Sequence, residues 1–284
     1  MKRLSDIGTI KEILGRHGFS FSKGLGQNFL VNPSVCPRMA ELSGADEGVG
    51  VIEIGPGIGV LTQELCELAD KVVAIEIDKR LIPVLAETLG EYDNLKVINR
   101  DVMELDLNRL IDEEFPGMKV VVCANLPYYI TSPVIMKLLE DKLPIESITV
   151  MVQKEAAQRI CAGVGTRQCG AVTAAVNFYS RPELLFNVSA GSFMPAPKVD
   201  SAVIRLDVYS EPVYRVSDEK KFFAVVKAAF AQRRKTILNS ISSSLGLEKQ
   251  TVNELLLECN IDPRLRAEKL SMDDFVNIAE RISI

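Results

Sequence analysis

Between residues 50 and 153, short apolar runs alternate with segments of helical periodicity, and this alternation constrains the fold more than any other feature. Five runs have the length and the β-branched character of strands: Gly50–Ile54, Val72–Ile77, Leu95–Ile98, Val120–Ala124 and Ser147–Val152. Strands that lack polar alternation are buried on both faces, as in parallel sheets covered by helices. The pattern therefore predicts an α/β fold in which a parallel sheet is doubly wound through right-handed crossovers.

Helical patterns lie between and after these strands. Within the α/β region they cover Val60–Ala69, Arg80–Gly90 and Ser132–Glu140, and the last follows Thr131 as a cap, with Pro133 in its first turn. Residues 171–200 fit neither the helical nor the strand pattern clearly, and residues 201–209 resemble a strand. Four helical segments follow: Asp218–Arg234, Lys235–Leu245, Glu248–Cys259 and Ser271–Ile282. This change of pattern predicts a first domain over residues 1–210 and a helical domain over residues 211–284.

The amino-acid composition limits the classes of protein to which this chain can belong. With 284 residues, 47% hydrophobic and 25% charged, the chain has the make-up of a globular protein. No apolar run approaches the ~18 residues of a membrane span, and no apolar segment follows the charged start as in a secretory signal. We therefore expect no membrane association and a cytoplasmic location. The six cysteines include no C-x-x-C pair and the single histidine, His17, has no ligand-like neighbour, so we expect neither a metal site nor a disulfide framework.

The distribution of charge bears on nucleic-acid binding. A net charge of −5 argues mildly against it, but phosphate contacts depend on where the cations lie. The segment Lys227–Leu238 holds four cations and no acid, and the segment Arg16–Lys23 is also basic. Arg233, Arg234 and Lys235 are therefore candidates for phosphate contacts, and a solvated helix face is the alternative.

A glycine-rich turn, Glu53-Ile54-Gly55-Pro56-Gly57-Ile58-Gly59, follows the first predicted strand and opens the first helix. Glycines in this context let a ligand approach the backbone closely. Glu76 ends the next strand about twenty residues later, where an acid bonds the ribose hydroxyls of a nucleotide cofactor. This arrangement suits a nicotinamide dehydrogenase as well as a methyltransferase. The acid two residues before the first glycine, and Asp101 placed to accept a bond from an adenine amine, favour S-adenosylmethionine.

The four residues Asn125-Leu126-Pro127-Tyr128 follow the fourth strand. An amide side chain, a proline-fixed backbone and an aromatic ring can hold a planar amine such as adenine N6 before an electrophilic methyl group. We expect the Asn125 side-chain oxygen and the Leu126 carbonyl to accept the two N6 hydrogens, and Tyr128 to stack on the adenine. We expect Phe193 to cover the other face of the base. The alternative for Phe193 is that it packs in the hydrophobic core and has no contact with a ligand. An ordinary strand-to-loop exit is the alternative for the four residues together.

Six segments, in order along almost the whole chain, resemble the ribosomal RNA adenine dimethyltransferase family, and most closely its members that act on 16S rRNA. They are Lys23–Leu30 (K-G-L-G-Q-N-F-L), Glu53–Gly59, Glu76 with Asp101, Asn125–Tyr128, Phe193–Ser201 (F-M-P-A-P-K-V-D-S) and Phe230–Lys235 (F-A-Q-R-R-K). Relatives that methylate 23S rRNA share the Q-N-F and N-L-P-Y segments, so a 23S rRNA adenine methyltransferase is an alternative. A DNA adenine methyltransferase is disfavoured, because that group carries a Pro-Pro-aromatic step where this chain has Leu-Pro-Tyr.

The resemblance implies a Rossmann-like class I S-adenosylmethionine-dependent methyltransferase domain, capped at its cofactor site by residues 1–45, and a smaller, mainly helical C-terminal domain that helps grip the ribosomal subunit. The implied cofactor pocket is lined by Asn28, Leu30, Gly55, Glu76, Asp101 and Asn125. The implied reaction is dimethylation of N6 on two adjacent adenosines near the 3′ end of 16S rRNA, within the small ribosomal subunit, by a monomer. A chiefly assembly-factor role in small-subunit biogenesis is a further alternative.

Overall fold

The computed structural model describes residues 4–19 and 28–284, which fold into two compact units. The first unit runs to Ala157 and resumes over Glu183–Val208, and the second comprises Gln158–Pro182 and Tyr209–Ile284. Residues 23–27 of the K-G-L-G-Q-N-F-L segment, and the end of the basic stretch at residues 20–23, lie outside the described residues.

The first unit is built on a seven-stranded sheet. Its elements, in chain order, are α1 (Ile7–Arg16), β1 (Phe29–Leu30), α2 (Val35–Ser43), β2 (Val49–Ile54), α3 (Val60–Leu68), β3 (Lys71–Glu76), α4 (Ile82–Leu89), β4 (Leu95–Asn99), α5 (Leu107–Glu114), β5 (Lys119–Asn125), α6 (Thr131–Glu140), β6 (Ser147–Gln153), α7 (Lys154–Ile160), β7 (Ser180–Val188), β8 (Phe193–Met194) and β9 (Ser201–Val208). The chain leaves this unit within α7 and re-enters it within β7. All five strands predicted in residues 50–153 are present.

The strand order is β4-β3-β2-β5-β6-β9-β7. The five strands from β4 to β6 pair in parallel, and β9 runs antiparallel to β6. Every residue of β2 is buried, and so is the interior of β5, as expected for strands covered on both faces. The prediction of a Rossmann-like α/β fold is confirmed.

The sheet has a topological switch point between β2 and β5. β3 and β4 extend the sheet on one side of β2, and the chain then returns to place β5 on the other side. Ile54 lies opposite Ala124 in this parallel pair, so the glycine turn after β2 and Asn125 at the end of β5 emerge at the same edge. Ligands of open α/β sheets bind outside the carboxyl ends of the strands at such a point.

Several elements of the first unit were not predicted, among them α5 and β7. The helix α5 spans eight residues and is capped by Asp106, whose side chain accepts a hydrogen bond of 3.0 Å from Arg109 N. It buries Leu107, Leu110 and Ile111, and three apolar residues are too few to stand out in a window of 11–18 residues. The strand β7 lies at the edge of the sheet and its burial alternates irregularly, which explains why residues 171–200 were ambiguous.

The second unit is helical, and it contains α8 (Ala171–Tyr179), α9 (Glu219–Phe230), α10 (Ile237–Leu245), α11 (Lys249–Glu258) and α12 (Met272–Arg281). The sequence analysis placed all residues before 210 in the first domain, whereas the structure assigns Gln158–Pro182 to the second unit. The reason is packing, because Ala174 and Phe178 of α8 belong to the same hydrophobic core as Phe222 and Phe275. None of the described helices is long and apolar enough to cross a membrane.

The first helix of the C-terminal region is shorter than predicted. It ends at Phe230 rather than at Arg234, and residues 231–235 form the connection to α10. Lys235 N donates to the Gln232 carbonyl at 2.8 Å in this turn. Thr236 then caps α10 by accepting a hydrogen bond from Asn239 N. The cations at 233–235 therefore lie in a turn between helices and not on a helix face, and all three are exposed to solvent.

Candidate active site

An open cavity lies at the carboxyl edge of the first unit's sheet. Its volume is about 220 Å³, well above the ~30 Å³ that one water occupies in the liquid. Its walls come from the segments that follow three parallel strands, namely residues 54–58 after β2, 76–77 after β3 and 125–130 after β5. Residues 28–30, 100–103 and Phe193 also line the cavity. The position agrees with the switch point of the sheet.

The glycine turn between β2 and α3 needs glycine for two different reasons. Gly59 has φ +94°, and a methyl group there would lie 2.7 Å from Leu89 Cδ1 of α4, so this glycine permits close packing. Gly55 has φ +72°, and a methyl group there would meet no atom within 4 Å. Because Gly55 lines the cavity, its missing side chain leaves room for a ligand beside the backbone.

Glu76 connects the segments that follow β2 and β3, beside the cavity. Its Oε2 accepts a hydrogen bond of 3.2 Å from Gly57 N, and its Oε1 accepts one of 2.8 Å from Asp78 N. The residue is 4% exposed, and burial raises the pKa of its carboxyl group. The two backbone donors oppose that effect by stabilising the charged form. The predicted ribose acceptor thus lies where the sequence placed it, at the end of β3.

A second acid, Glu53, lines the same cavity from within β2. It is 1% exposed, and no described residue hydrogen-bonds to its Oε2. Burial raises the pKa of the Glu53 carboxyl group to about 8, so this side chain is largely protonated at pH 7. Glu53 begins the glycine-rich turn in the sequence, and the sequence predicted no separate role for it.

Asp101 follows β4 and reaches the cavity from the side. Its Oδ1 accepts a hydrogen bond of 2.9 Å from Met103 N, which orients the carboxylate. Ile77 and Met103 are 52% and 40% exposed and line the cavity beside Glu76 and Asp101. Neither apolar residue was predicted, although each follows a predicted acid by one or two positions in the sequence.

The N-L-P-Y segment forms the opposite wall. Asn125 is the last residue of β5, and within the described part of the chain no residue hydrogen-bonds to its side chain. Ile130 N donates to the Pro127 carbonyl at 3.1 Å, which closes a turn with Tyr128 inside it. The Tyr128 hydroxyl lies 2.8 Å from Ser201 Oγ, and burial raises the pKa of Tyr128.

A two-stranded ribbon brings Phe193 to the cavity. β1 and β8 pair antiparallel, with Leu30 opposite Phe193 and Phe29 opposite Met194. Val31 N donates to the Ser192 carbonyl at 2.8 Å and extends the pairing. Asn28 and Leu30 reach the cavity in the same way. Phe193 is 5% exposed and belongs both to the hydrophobic core and to the cavity wall, so core packing and a contact with a ligand are compatible for this residue.

All predicted cofactor and base-holding residues thus line one cavity of the first unit, whereas the predicted phosphate contacts lie in the second unit. Arg233, Arg234 and Lys235 belong to the turn before α10, and none of them is buried. Among residues 4–19 and 28–284, no group of three or more His, Cys, Asp or Glu side chains could hold a metal ion.

Comparison with known proteins identifies relatives along the whole chain. A family model described as ribosomal RNA adenine dimethylase matches residues 18–283. The ribosomal RNA small subunit methyltransferase A of Alkaliphilus oremlandii is 49% identical over 284 residues, which cover 100% of this chain and 99% of that protein. The protein of the same name from Geobacillus thermodenitrificans is 48% identical, and the alignment covers 99% of this chain and 97% of that protein.

Solved structures give the same picture at lower identity. A dimethyladenosine transferase from Plasmodium falciparum superposes with a TM-score of 0.72 and 27% identity, covering 88% of this chain and 95% of that chain. The 23S rRNA methyltransferase ErmE superposes with a TM-score of 0.68 and 27% identity, covering 89% of this chain and 99% of that chain.

Proposed function

Because the chain belongs to the ribosomal RNA adenine dimethylase family and is an adenine dimethyltransferase of ribosomal RNA, we propose that it methylates N6 of two adjacent adenosines near the 3′ end of 16S rRNA in the small subunit. The observation that carries this proposal is the meeting of Glu76, Asp101 and Asn125 in one cavity, where the Asn125 side chain hydrogen-bonds to none of the residues that the structure describes. The relatives at 48–49% identity are named for the small subunit, whereas the 23S rRNA enzyme is 27% identical. That difference favours a 16S over a 23S substrate.

The residues around the cavity fit S-adenosylmethionine. The Glu76 carboxylate would accept hydrogen bonds from the ribose hydroxyls, and the second Asp101 carboxylate oxygen would accept one from the adenine amine. Ile77 and Met103 would supply apolar contacts for the purine, Asn28 and Leu30 also line the cavity, and Gly55 leaves room beside the backbone. S-adenosylmethionine supplies an electrophilic methyl group, and no metal ion is required for that chemistry.

Asn125 and Leu126 prepare the target amine. The lone pair of adenine N6 is delocalised into the ring, so the amine is a weak nucleophile. The Asn125 side-chain oxygen and the Leu126 carbonyl accept its two hydrogens and favour a pyramidal nitrogen, an interaction that strengthens towards the transition state. Pro127 fixes the direction of the Leu126 carbonyl, because it restricts its own φ and the conformation of the residue before it. Holding both reactants in line contributes about 7–11 kcal/mol to such reactions.

Aromatic contacts hold the flipped base. Tyr128 stacks on one face of the adenine and Phe193 covers the other, as aromatic side chains commonly do for unstacked bases. Both rings line the cavity next to Asn125. The base is thereby read by shape and by its N6 edge, whereas the choice of RNA depends on contacts elsewhere.

Those contacts come from the second unit. Arg233, Arg234 and Lys235 lie in the turn before α10, where they bind phosphates of the ribosomal RNA. Such contacts set affinity and register without reading sequence. The net charge of −5 is compatible with this role, because three cations lie together in this turn and phosphate contacts depend on the local charge. We expect a monomer that acts in the cytoplasm on the small ribosomal subunit and not on DNA.

The role of Asn125 can be tested directly. Asn125→Ala should abolish transfer of label from S-adenosylmethionine to unmethylated small subunits and leave most of the cofactor affinity intact. Asn108→Ala, at an exposed position of α5, serves as the matched control and should be active. Near-normal turnover of Asn125→Ala would contradict the proposed mechanism.

A further inference from the structure

Tyr128 is fixed at both ends of its side chain. At the backbone end, it lies within the turn that Ile130 N closes onto the Pro127 carbonyl. At the other end, its hydroxyl is 2.8 Å from Ser201 Oγ, a residue 73 positions further along the chain. The tyrosine side chain has two torsions, each limited to a few rotamers, and the Ser201 contact holds the hydroxyl, and with it the ring, in one of these orientations.

Ser201 is itself immobile. It is the first residue of β9 and lies opposite Gln153 in the antiparallel pair with β6. Its side chain is fully buried, so water does not compete for the hydroxyl as it would at the surface. The anchor of Tyr128 is therefore a rigid point of the sheet and not a flexible loop.

The residue before Ser201 fixes the approach to the second aromatic wall. Asp200 Oδ1 accepts a hydrogen bond of 2.9 Å from Ala190 N, at the start of the short turn 190–192 that leads directly into Phe193. The Asp200 carbonyl accepts a hydrogen bond of 3.0 Å from Lys154 N, which holds its own backbone. Asp200, just before β9, and Ser201, its first residue, thus hold in place the segments that carry Tyr128 and Phe193.

We propose that Ser201, assisted by Asp200, is a positioning residue for the methyl transfer, which holds Tyr128 and the Phe193 segment in the orientation that clamps the target adenine. This inference rests on the proposed stacking role of Tyr128. Neither Ser201 nor Asp200 lines the cavity. They act in the free enzyme. Because the rings of Tyr128 and Phe193 are already ordered, binding of the base does not have to order them, and N6 stays aligned for transfer.

The consequence is a selective loss of turnover. Ser201→Ala and Tyr128→Phe each remove one partner of the same hydrogen bond and retain an aromatic ring at position 128. We expect each to lower kcat about tenfold, because ordering the ring in the transition state would then cost about the free energy of the lost hydrogen bond. The KM for small subunits and the Kd for S-adenosylmethionine should change less than about twofold, because phosphate contacts and the cofactor pocket are intact. Asp200→Ala should lower kcat, and Asp200→Asn, which retains an acceptor oxygen, should restore it.

The double variant Tyr128→Phe/Ser201→Ala distinguishes positioning from general damage. Because both substitutions break one bond, its kcat should equal that of the single variants; multiplied losses would contradict the proposal. Ser147→Ala is the matched control, since Ser147 is equally buried at the opposite end of the β6–β9 pair and donates to the Ser43 carbonyl at 3.0 Å. It should lower the thermal midpoint to a similar extent and leave kcat unchanged.

Two results would overturn the inference, and they separate it from the proposed function. If Tyr128→Ala is inactive while Ser201→Ala and Tyr128→Phe have wild-type kcat, the stacking role stands and the positioning role is wrong. If Tyr128→Ala itself has wild-type kcat, the proposed stacking is wrong and the positioning role falls with it. A loss of kcat in Ser147→Ala as large as that in Ser201→Ala would also contradict the proposal.

Discussion

Replacing Glu76 by glutamine should weaken S-adenosylmethionine binding roughly 10- to 100-fold. A hydrogen bond to a charged acceptor contributes about 1.5–3 kcal/mol and a neutral one about 0.5–1.5 kcal/mol. The difference is about 1–1.5 kcal/mol for each hydrogen bond, so with one or two ribose hydroxyls the substitution costs on the order of 1–3 kcal/mol, which is roughly one to two decades in Kd. In addition, the amide nitrogen would face the N–H of Gly57 or of Asp78, each of which now donates to the carboxylate.

Glu53→Gln is the matched control for this prediction. Both acids are buried and line the same cavity, but the pKa of Glu53 is raised to about 8, so at pH 7 its substitution removes little charge. Titration calorimetry with S-adenosylmethionine at pH 7 measures both variants against the wild type. We expect a large loss of affinity for Glu76→Gln and a much smaller one for Glu53→Gln. Equal losses, or an unchanged Kd for Glu76→Gln, would refute the assignment of Glu76 as the ribose acceptor.

Three further predictions concern stability and RNA binding. The folded pKa of Glu53, about 8, lies above its usual value of 4.5, so the folded state binds the proton more tightly and stability falls as pH rises between these values, by up to about 1.4 kcal/mol per pH unit. Urea midpoints at pH 6 and pH 8 should therefore differ less in Glu53→Gln than in the wild type. Alanine at all three of residues 233–235 should weaken small-subunit binding and reduce the slope of log K against log salt by ~0.7–0.9 per lost phosphate contact; an unchanged slope would argue against phosphate binding there. Gly59→Ala should lower the thermal midpoint, because its methyl group would meet Leu89 at 2.7 Å in a backbone conformation with φ +94°; an unchanged midpoint would contradict this account of the turn.

The sequence was sufficient for the five parallel strands of the sheet and for the residues at their carboxyl ends. Runs such as Val120–Ala124 can be buried strands and little else, and parallel strands bring their ends to one edge. Glu76, Asp101 and Asn125 could therefore be assigned to one site from their positions after strands. Their hydrogen-bond partners and the charge state of Glu53 depend on burial, which periodicity does not report.

Long-range pairings account for what the sequence did not reveal. The ribbon of β1 and β8 joins two dipeptides more than 160 positions apart, so the family resemblance could suggest the place of Phe193 whereas the local pattern could not. The bond between Tyr128 and Ser201 has the same character. Likewise, α8 belongs to the second unit because of its packing against Phe222, and no change of composition marks residue 158 as a boundary.

The identity of the methylated RNA tests the central claim most directly. The protein should be incubated with labelled S-adenosylmethionine and, separately, with unmethylated small subunits, large subunits, naked rRNA and DNA, and the labelled nucleosides should then be identified. We predict N6,N6-dimethyladenosine at two adjacent positions near the 3′ end of 16S rRNA in the small-subunit reaction, and no label in large subunits or DNA. Label in 23S rRNA, or on a nucleoside other than adenosine, would contradict the account.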